Sequence, residues 1–125
     1  MLKDRNSSAI VAVSDIDRAR TFYEDTLGLI RTGGGDDMLE FRTGDTRLTV
    51  YRSDFAGTNK ANAVTWDMRG DLVETVNDLR GKGVTFEQYD IPGLTYRDGI
   101  HEAGEFRLVW FKDPDGNILH LLEGM

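Results

Sequence analysis

The chain carries two imidazoles, His101 and His120, and no cysteine. That narrows its chemistry before any fold is considered. Without a thiolate there is no thiol nucleophile, no disulfide framework and no sulfur-bound metal. A tight zinc or iron site takes three or four imidazole, thiolate or carboxylate donors at fixed geometry. Glu40, Asp67 and Glu87 add carboxylates, but only Asp67 has the strand alternation to face inward. One chemistry open to these residue types is proton transfer. One reading makes His120 a candidate general base or acid toward a carbonyl or enol, with Asp67 as its orienter or Tyr51 as its partner. A simpler role is open to it as a neutral, hydrogen-bonded imidazole beside Ile118 and Leu122.

Positioning these groups falls to a pattern written twice. Ala9–Val13 reads as a buried strand, and Ser14 with Asp17 forms a capping box ahead of a helix. Its apolar face is Ile16, Ala19, Phe22, Tyr23 and Leu27, and it stops at Gly28. Residues 33–37 are a turn, and Met38–Arg42 and Arg47–Arg52 are strands. After the polar stretch 53–62 the pattern recurs. Ala63–Met68 is a strand, and Asp71 with Glu74 caps a helix whose face is Leu72, Val76 and Leu79. Gly81 and Gly83 end that helix, and Val84–Tyr89 is a further strand. Residues 90–104 read as a long loop, a lid or mouth whose aromatics join Phe55 and Tyr89 around a site. Phe106–Lys112 and Asn117–Glu123 form a hairpin over Asp113-Pro114-Asp115-Gly116.

Each half is too small to bury its own apolar face, so the two are expected to close on each other around a cavity. Alternation then sorts the side chains. Ser8, Ile10 and Ala12 oppose the helix-facing Ala9, Val11 and Val13. Ala63, Thr65 and Asp67 oppose Val64, Trp66 and Met68, and Thr49 and Tyr51 face inward with Arg47.

With 125 residues, one domain is expected, with a first module at about 7–52 and a second at about 62–124. A hydrophobic fraction of 39% and a charged fraction of 30% fit a globular protein. No apolar run approaches the length of a membrane span, and the N-terminal residues lack the apolar core of a secretory signal. The expected location is the cytoplasm. The net charge of −7, with its 15 basic residues interleaved among 22 acidic ones, argues against nucleic acid as a partner.

The paired βαβββ halves, Asp15-Ile16-Asp17 through Phe22-Tyr23 to Leu27-Gly28-Leu29, Leu79 through Val84, and Phe111-Lys112-Asp113-Pro114-Asp115-Gly116-Asn117 together resemble the vicinal oxygen chelate superfamily. This group of glyoxalases, bleomycin-resistance proteins, fosfomycin-resistance enzymes and extradiol dioxygenases resembles the chain over nearly its whole length. The resemblance implies an α+β fold in which two βαβββ modules pair into a half-open curved sheet. It also implies a homodimer, with closure inside one chain and exchange between two both open. In metal-dependent relatives the ligands come from matching strands. Carried onto this chain, those positions are Ser8, Ala63, Thr49 or Tyr51, and His120. Hydroxyls and a methyl stand where chelating groups belong, so no metal and no cofactor are expected.

By the same resemblance Trp110 joins Ile118, His120 and Leu122 in the cavity. The expected activity is metal-free binding of a small, partly aromatic molecule by Ser8, Thr49, Tyr51, Ala63, Thr65, Trp110, Ile118 and Leu122. His120 and Asp67 carry any catalysis. The alternatives are a lyase, isomerase or dioxygenase with an unusual metal set or His120-based proton transfer, and a non-catalytic interaction module.

Overall fold

β-Branched and small apolar residues make Ala9–Val13 the first strand, β1. It lies parallel to β4 (Thr46–Arg52), which pairs antiparallel with β3 (Met38–Thr43), and β3 pairs with β2 (Ile30–Gly34). The sheet order is β1-β4-β3-β2. One face carries Val11, Val13, Leu39, Phe41, Leu48 and Val50, all buried. Against it packs α1 (Ile16–Arg20), which runs straight into a π-helical turn over Thr21–Thr26. Tyr23, fully buried, stacks on Phe41 at 5.9 Å.

The computed structural model describes residues 1–124. They divide into two compact units, Met1–Lys60 with Pro114–Asn117, and Ala61–Asp113 with the residues from Ile118 onward. The turn of the closing hairpin therefore belongs to the first unit. There Asp115 accepts hydrogen bonds from Ser14 N at 3.0 Å, from the Ser14 hydroxyl, and from the Arg18 guanidinium at 3.1 Å. Asn117 donates to the Ala12 carbonyl at 2.8 Å. A Cβ at Gly57 would run into the Asp115 carbonyl, so only glycine lets the chain pass there.

These bonds explain one departure from the expected capping. Ser14 is engaged by Asp115, and the N-cap of α1 is Asp15, whose carboxylate accepts from Arg18 N at 3.0 Å. Two of the glycines expected in a turn, Gly33 and Gly34, end β2 across a register shift. In the second helix Asp71 occupies the cap position without a side-chain cap bond.

The second unit is a five-stranded sheet in the order β5-β9-β8-β7-β6. Its strands are β5 (Asn62–Asp67), β6 (Thr95–Arg97), β7 (Ile100–Ala103), β8 (Phe106–Lys112) and β9 (Ile118–Glu123). Helix α2 (Leu72–Gly81) buries Leu72, Val76 and Leu79. Val64 and Trp66 of β5 pair in register with the buried Leu119 and Leu121 of β9, as alternation requires.

Two stretches differ from the sequence reading. The expected loop 90–104 contains the β6–β7 hairpin, turned by Asp98 and Gly99 with φ of 53° and 88°. A Cβ at Gly99 would also lie 2.9 Å from the Arg80 guanidinium and 3.1 Å from Phe86. The expected strand Val84–Tyr89 shrinks to a bridge between Phe86 and Phe111, with Glu87 N donating to the Trp110 carbonyl. β7 already occupies that edge of β8 through its pairing with residues 106–108.

Candidate functional site

The functional groups gather on the face of the second sheet that carries His120. In the ladder His120 stands opposite both Thr65 of β5 and Trp110 of β8. Two strands over, His101 stands opposite Leu108 and Tyr96 opposite His101, so Tyr96, His101, Trp110 and His120 share one face. Their rings touch in series. Trp110 stacks on His120 at 4.8 Å and 20°, and meets His101 edge-on at 4.9 Å. Tyr89 packs edge-on against Trp110 at 5.3 Å, and Tyr96 against His101 at 5.0 Å. His101, His120 and Trp110 are 1%, 6% and 8% exposed.

Each polar atom in this cluster has a definable role. His120 Nδ1 lies 3.0 Å from the Val109 carbonyl, an obligate acceptor, so the ring's proton sits on Nδ1 and Nε2 keeps its lone pair. Burial holds the His120 pKa below its ordinary 6.5, partly offset by that carbonyl. The imidazole is therefore neutral at pH 7, with the basicity of an acceptor or a general base. The Trp110 indole N–H donates to the Asn62 side-chain oxygen at 3.1 Å.

His101 Nε2 accepts from Tyr89 N at 3.0 Å. This bond helps explain why Val84–Tyr89 does not continue as a strand, since the imidazole takes the amide hydrogen that a neighbouring strand would have taken.

The expected site residues distribute as follows. Trp110, His120, Ile118, Leu122 and Thr65 come together on this face, the first two buried, Ile118 and Leu122 half-buried and Thr65 exposed. Ala63 falls at a register shift, and Asn62, opposite Ile118, takes the place on this face that alternation assigns to it. Asp67 pairs with Leu122, and its carboxylate accepts from Arg69 N at 3.2 Å, so the Val109 carbonyl orients His120. Ser8, Thr49 and Tyr51 belong to the first unit. Ser8 precedes β1, and Thr49 and Tyr51 lie on the β4 face away from α1.

Sequence reasoning missed His101 and Asn62. The signal for His101 was present: Asp98-Gly99 between Thr95-Tyr96-Arg97 and Ile100-His101-Glu102 is a hairpin pattern, and alternation then sets Tyr96 beside His101. Nothing in the sequence announces the register shift that brings in Asn62.

The donor set does not fit the divalent metal of many relatives. Among the described residues no group of three or more His, Asp or Glu side chains lies close enough together to hold an ion. Hydroxyls and a methyl occupy the other carried-over positions.

Fold and sequence together define the class. Residues 7–121 match the model of the Glyoxalase/Bleomycin resistance protein/Dioxygenase superfamily, and the chain belongs to that family. It is 22% identical over 128 residues to the virulence protein STM3117 of Salmonella typhimurium, covering 97% of this chain and 85% of that protein. It is similar to the bleomycin-binding protein of Streptomyces verticillus, solved with copper(II)-bleomycin, at 24% identity, full coverage of both chains and a TM-score of 0.71. The fosfomycin resistance protein FosX of Listeria monocytogenes matches at 14% identity and a TM-score of 0.73, covering 98% of this chain and 94% of that one. At these identities the structural likenesses establish the fold alone.

Proposed function

We propose that this protein binds a small, planar organic molecule on the Trp110–His120 face of its second sheet, without a metal. The observation that carries this reading is the indole stacked on a buried imidazole whose Nε2 lone pair is left free by the Val109 bond. An aromatic contact contributes about 0.5–1.5 kcal/mol beyond burial, so a few contacts with one hydrogen bond support micromolar affinity. The bleomycin-binding relative supports the reading by analogy of fold. In the same reading the protein is a cytoplasmic homodimer, and Thr65, Ile118 and Leu122 border the ligand with Asn62 in the place expected of Ala63. No helix is long and apolar enough to cross a membrane.

The test is a titration of untagged protein with aromatic ligands, followed by tryptophan fluorescence, with elemental analysis and native mass spectrometry of the same sample. Saturable quenching that His120→Ala weakens supports the reading. Stoichiometric metal, or binding indifferent to both His120→Ala and Trp110→Phe, overturns it. A second reading has its own support in the neutral, carbonyl-anchored His120, which suits a general base. Turnover of a bound carbonyl compound that disappears in His120→Gln separates it from binding alone.

A further inference from the structure

The backbone groups that fix the two imidazoles give them opposite polarity. A neutral imidazole has one N–H and one lone pair. At His120 the Val109 carbonyl, 3.0 Å from Nδ1, only accepts, which leaves the lone pair on Nε2. At His101 the Tyr89 backbone N–H, 3.0 Å from Nε2, only donates, so in the neutral ring the hydrogen sits on Nδ1. The Tyr89 carbonyl also lies 3.2 Å from His101 Nε2, but a hydrogen placed there would face the amide hydrogen. His101 Nδ1 is buried and has no hydrogen-bond partner among the described residues. Buried donors without acceptors are rare enough in folded proteins to call for an explanation.

Resting on the reading that Trp110 and His120 hold a ligand, the geometry points to a ligand of defined polarity. It is a planar molecule that presents a hydrogen-bond acceptor to His101 Nδ1 and a donor to His120 Nε2, on either side of the Trp110 indole. A ring bearing a carbonyl at one end and a hydroxyl at the other has this chemistry. Access to His101 requires Tyr96 to move, because its ring packs on His101 at 5.0 Å. Tyr96 sits on β6, a three-residue strand at the sheet edge. It also lines an open cleft of about 520 Å³, which gives the ring a space to swing into.

The test begins with the free full-length protein. Nitrogen-15 NMR of the imidazoles should show the Nδ1–H form at both His101 and His120, and an Nε2–H form at His101 overturns the inference. Titration with 4-hydroxyacetophenone, acetophenone and phenol then reads polarity through the Trp110 indole and imidazole signals. 4-Hydroxyacetophenone is expected to bind about fivefold tighter than either single-function probe. His101→Phe should erase the advantage of the carbonyl, and His120→Phe that of the hydroxyl.

Equal affinity for all probes, or an unchanged order in His101→Phe, sinks the polarity and leaves the ligand reading standing. No perturbation of Trp110 or either imidazole at millimolar probe sinks both. Should His101→Phe not fold, the wild-type His101 Nδ1 signal decides, since an acceptor bound there must shift it when acetophenone is added.

Discussion

The two sheets are built on one plan and differ in what they do with the face turned away from the helix. In the first sheet that face presents Ile10, Met38, Tyr51 and Ile30, exposed at 63%, 40%, 38% and 58%. Between them lie charged pairs such as Arg47 with Glu40 at 3.4 Å. In the second sheet the equivalent face holds four rings in series, with two imidazoles and an indole nearly inaccessible. The helix-side faces of both sheets are ordinary apolar cores. Both sheets are therefore held to their helices in the same way, and only the second gathers buried aromatic and imidazole side chains on its other side.

The contrast predicts where substitutions are costly. Trp110→Ala removes the ring that contacts His101, His120 and Tyr89, and should cost about 3–5 kcal/mol in denaturant unfolding together with ligand binding. Trp110→Phe keeps a ring in place and loses the bond to Asn62, at a cost of about 1 kcal/mol. A Trp110→Ala protein as stable as wild type would show that the aromatic series is decoration.

Next in size is Asp115→Ala in the first unit, where a carboxylate that is only 8% exposed accepts from Ser14 and Arg18. Removing it leaves those donors without their acceptor and should cost about 1–3 kcal/mol by the same measurement. Asp115→Asn should lose less, because one amide oxygen can still accept.

His120 gives a pH signature that the first sheet lacks. Its folded pKa lies below the ordinary 6.5, so between the two values the unfolded chain binds more protons than the folded one. Stability should be level above about pH 7, fall as pH drops through 6.5, and level off again below the folded pKa. The slope is bounded by about 1.4 kcal/mol per pH unit for one proton. Comparing wild type with His120→Phe by thermal unfolding at several pH values isolates this contribution. Curves that stay parallel would mean that His120 is not held neutral by burial.

What was legible in the chain followed from short-range rules. Alternation in β1 and β5 placed Val11 and Val13 against the helix and set Thr65 on the face opposite Val64 and Trp66. The Asp113-Pro114-Asp115-Gly116 turn gave the closing hairpin its bounds. The family likeness supplied Trp110. What stayed hidden depended on competition between distant segments. Ser14 was a good N-cap by local rules until Asp115, 101 residues away, engaged it. Val84–Tyr89 had strand composition, yet β7 held the edge of β8 that it needed. Asp67 had the right alternation to orient His120, but the Arg69 amide lay closer to hand.

The smallest expected effect is the one that sharpens the comparison most. Tyr51 lies on the open face of the first sheet, opposite Met38 and Ala12, and is 38% exposed. Its ring makes none of the contacts that bury Trp110, so Tyr51→Ala should change unfolding free energy by roughly 0.5 kcal/mol or less, as at an ordinary surface position. Tyr51 is nevertheless among the residues expected from the sequence to meet a ligand, and that expectation makes a separate demand. If the first unit contributes to binding, Tyr51→Ala must weaken probe affinity severalfold while leaving stability alone, and Thr49→Ala must do so to a lesser degree. If both variants bind as wild type does, ligand recognition rests on the second sheet alone, and the exposed face of the first owes its tyrosine to something other than this ligand.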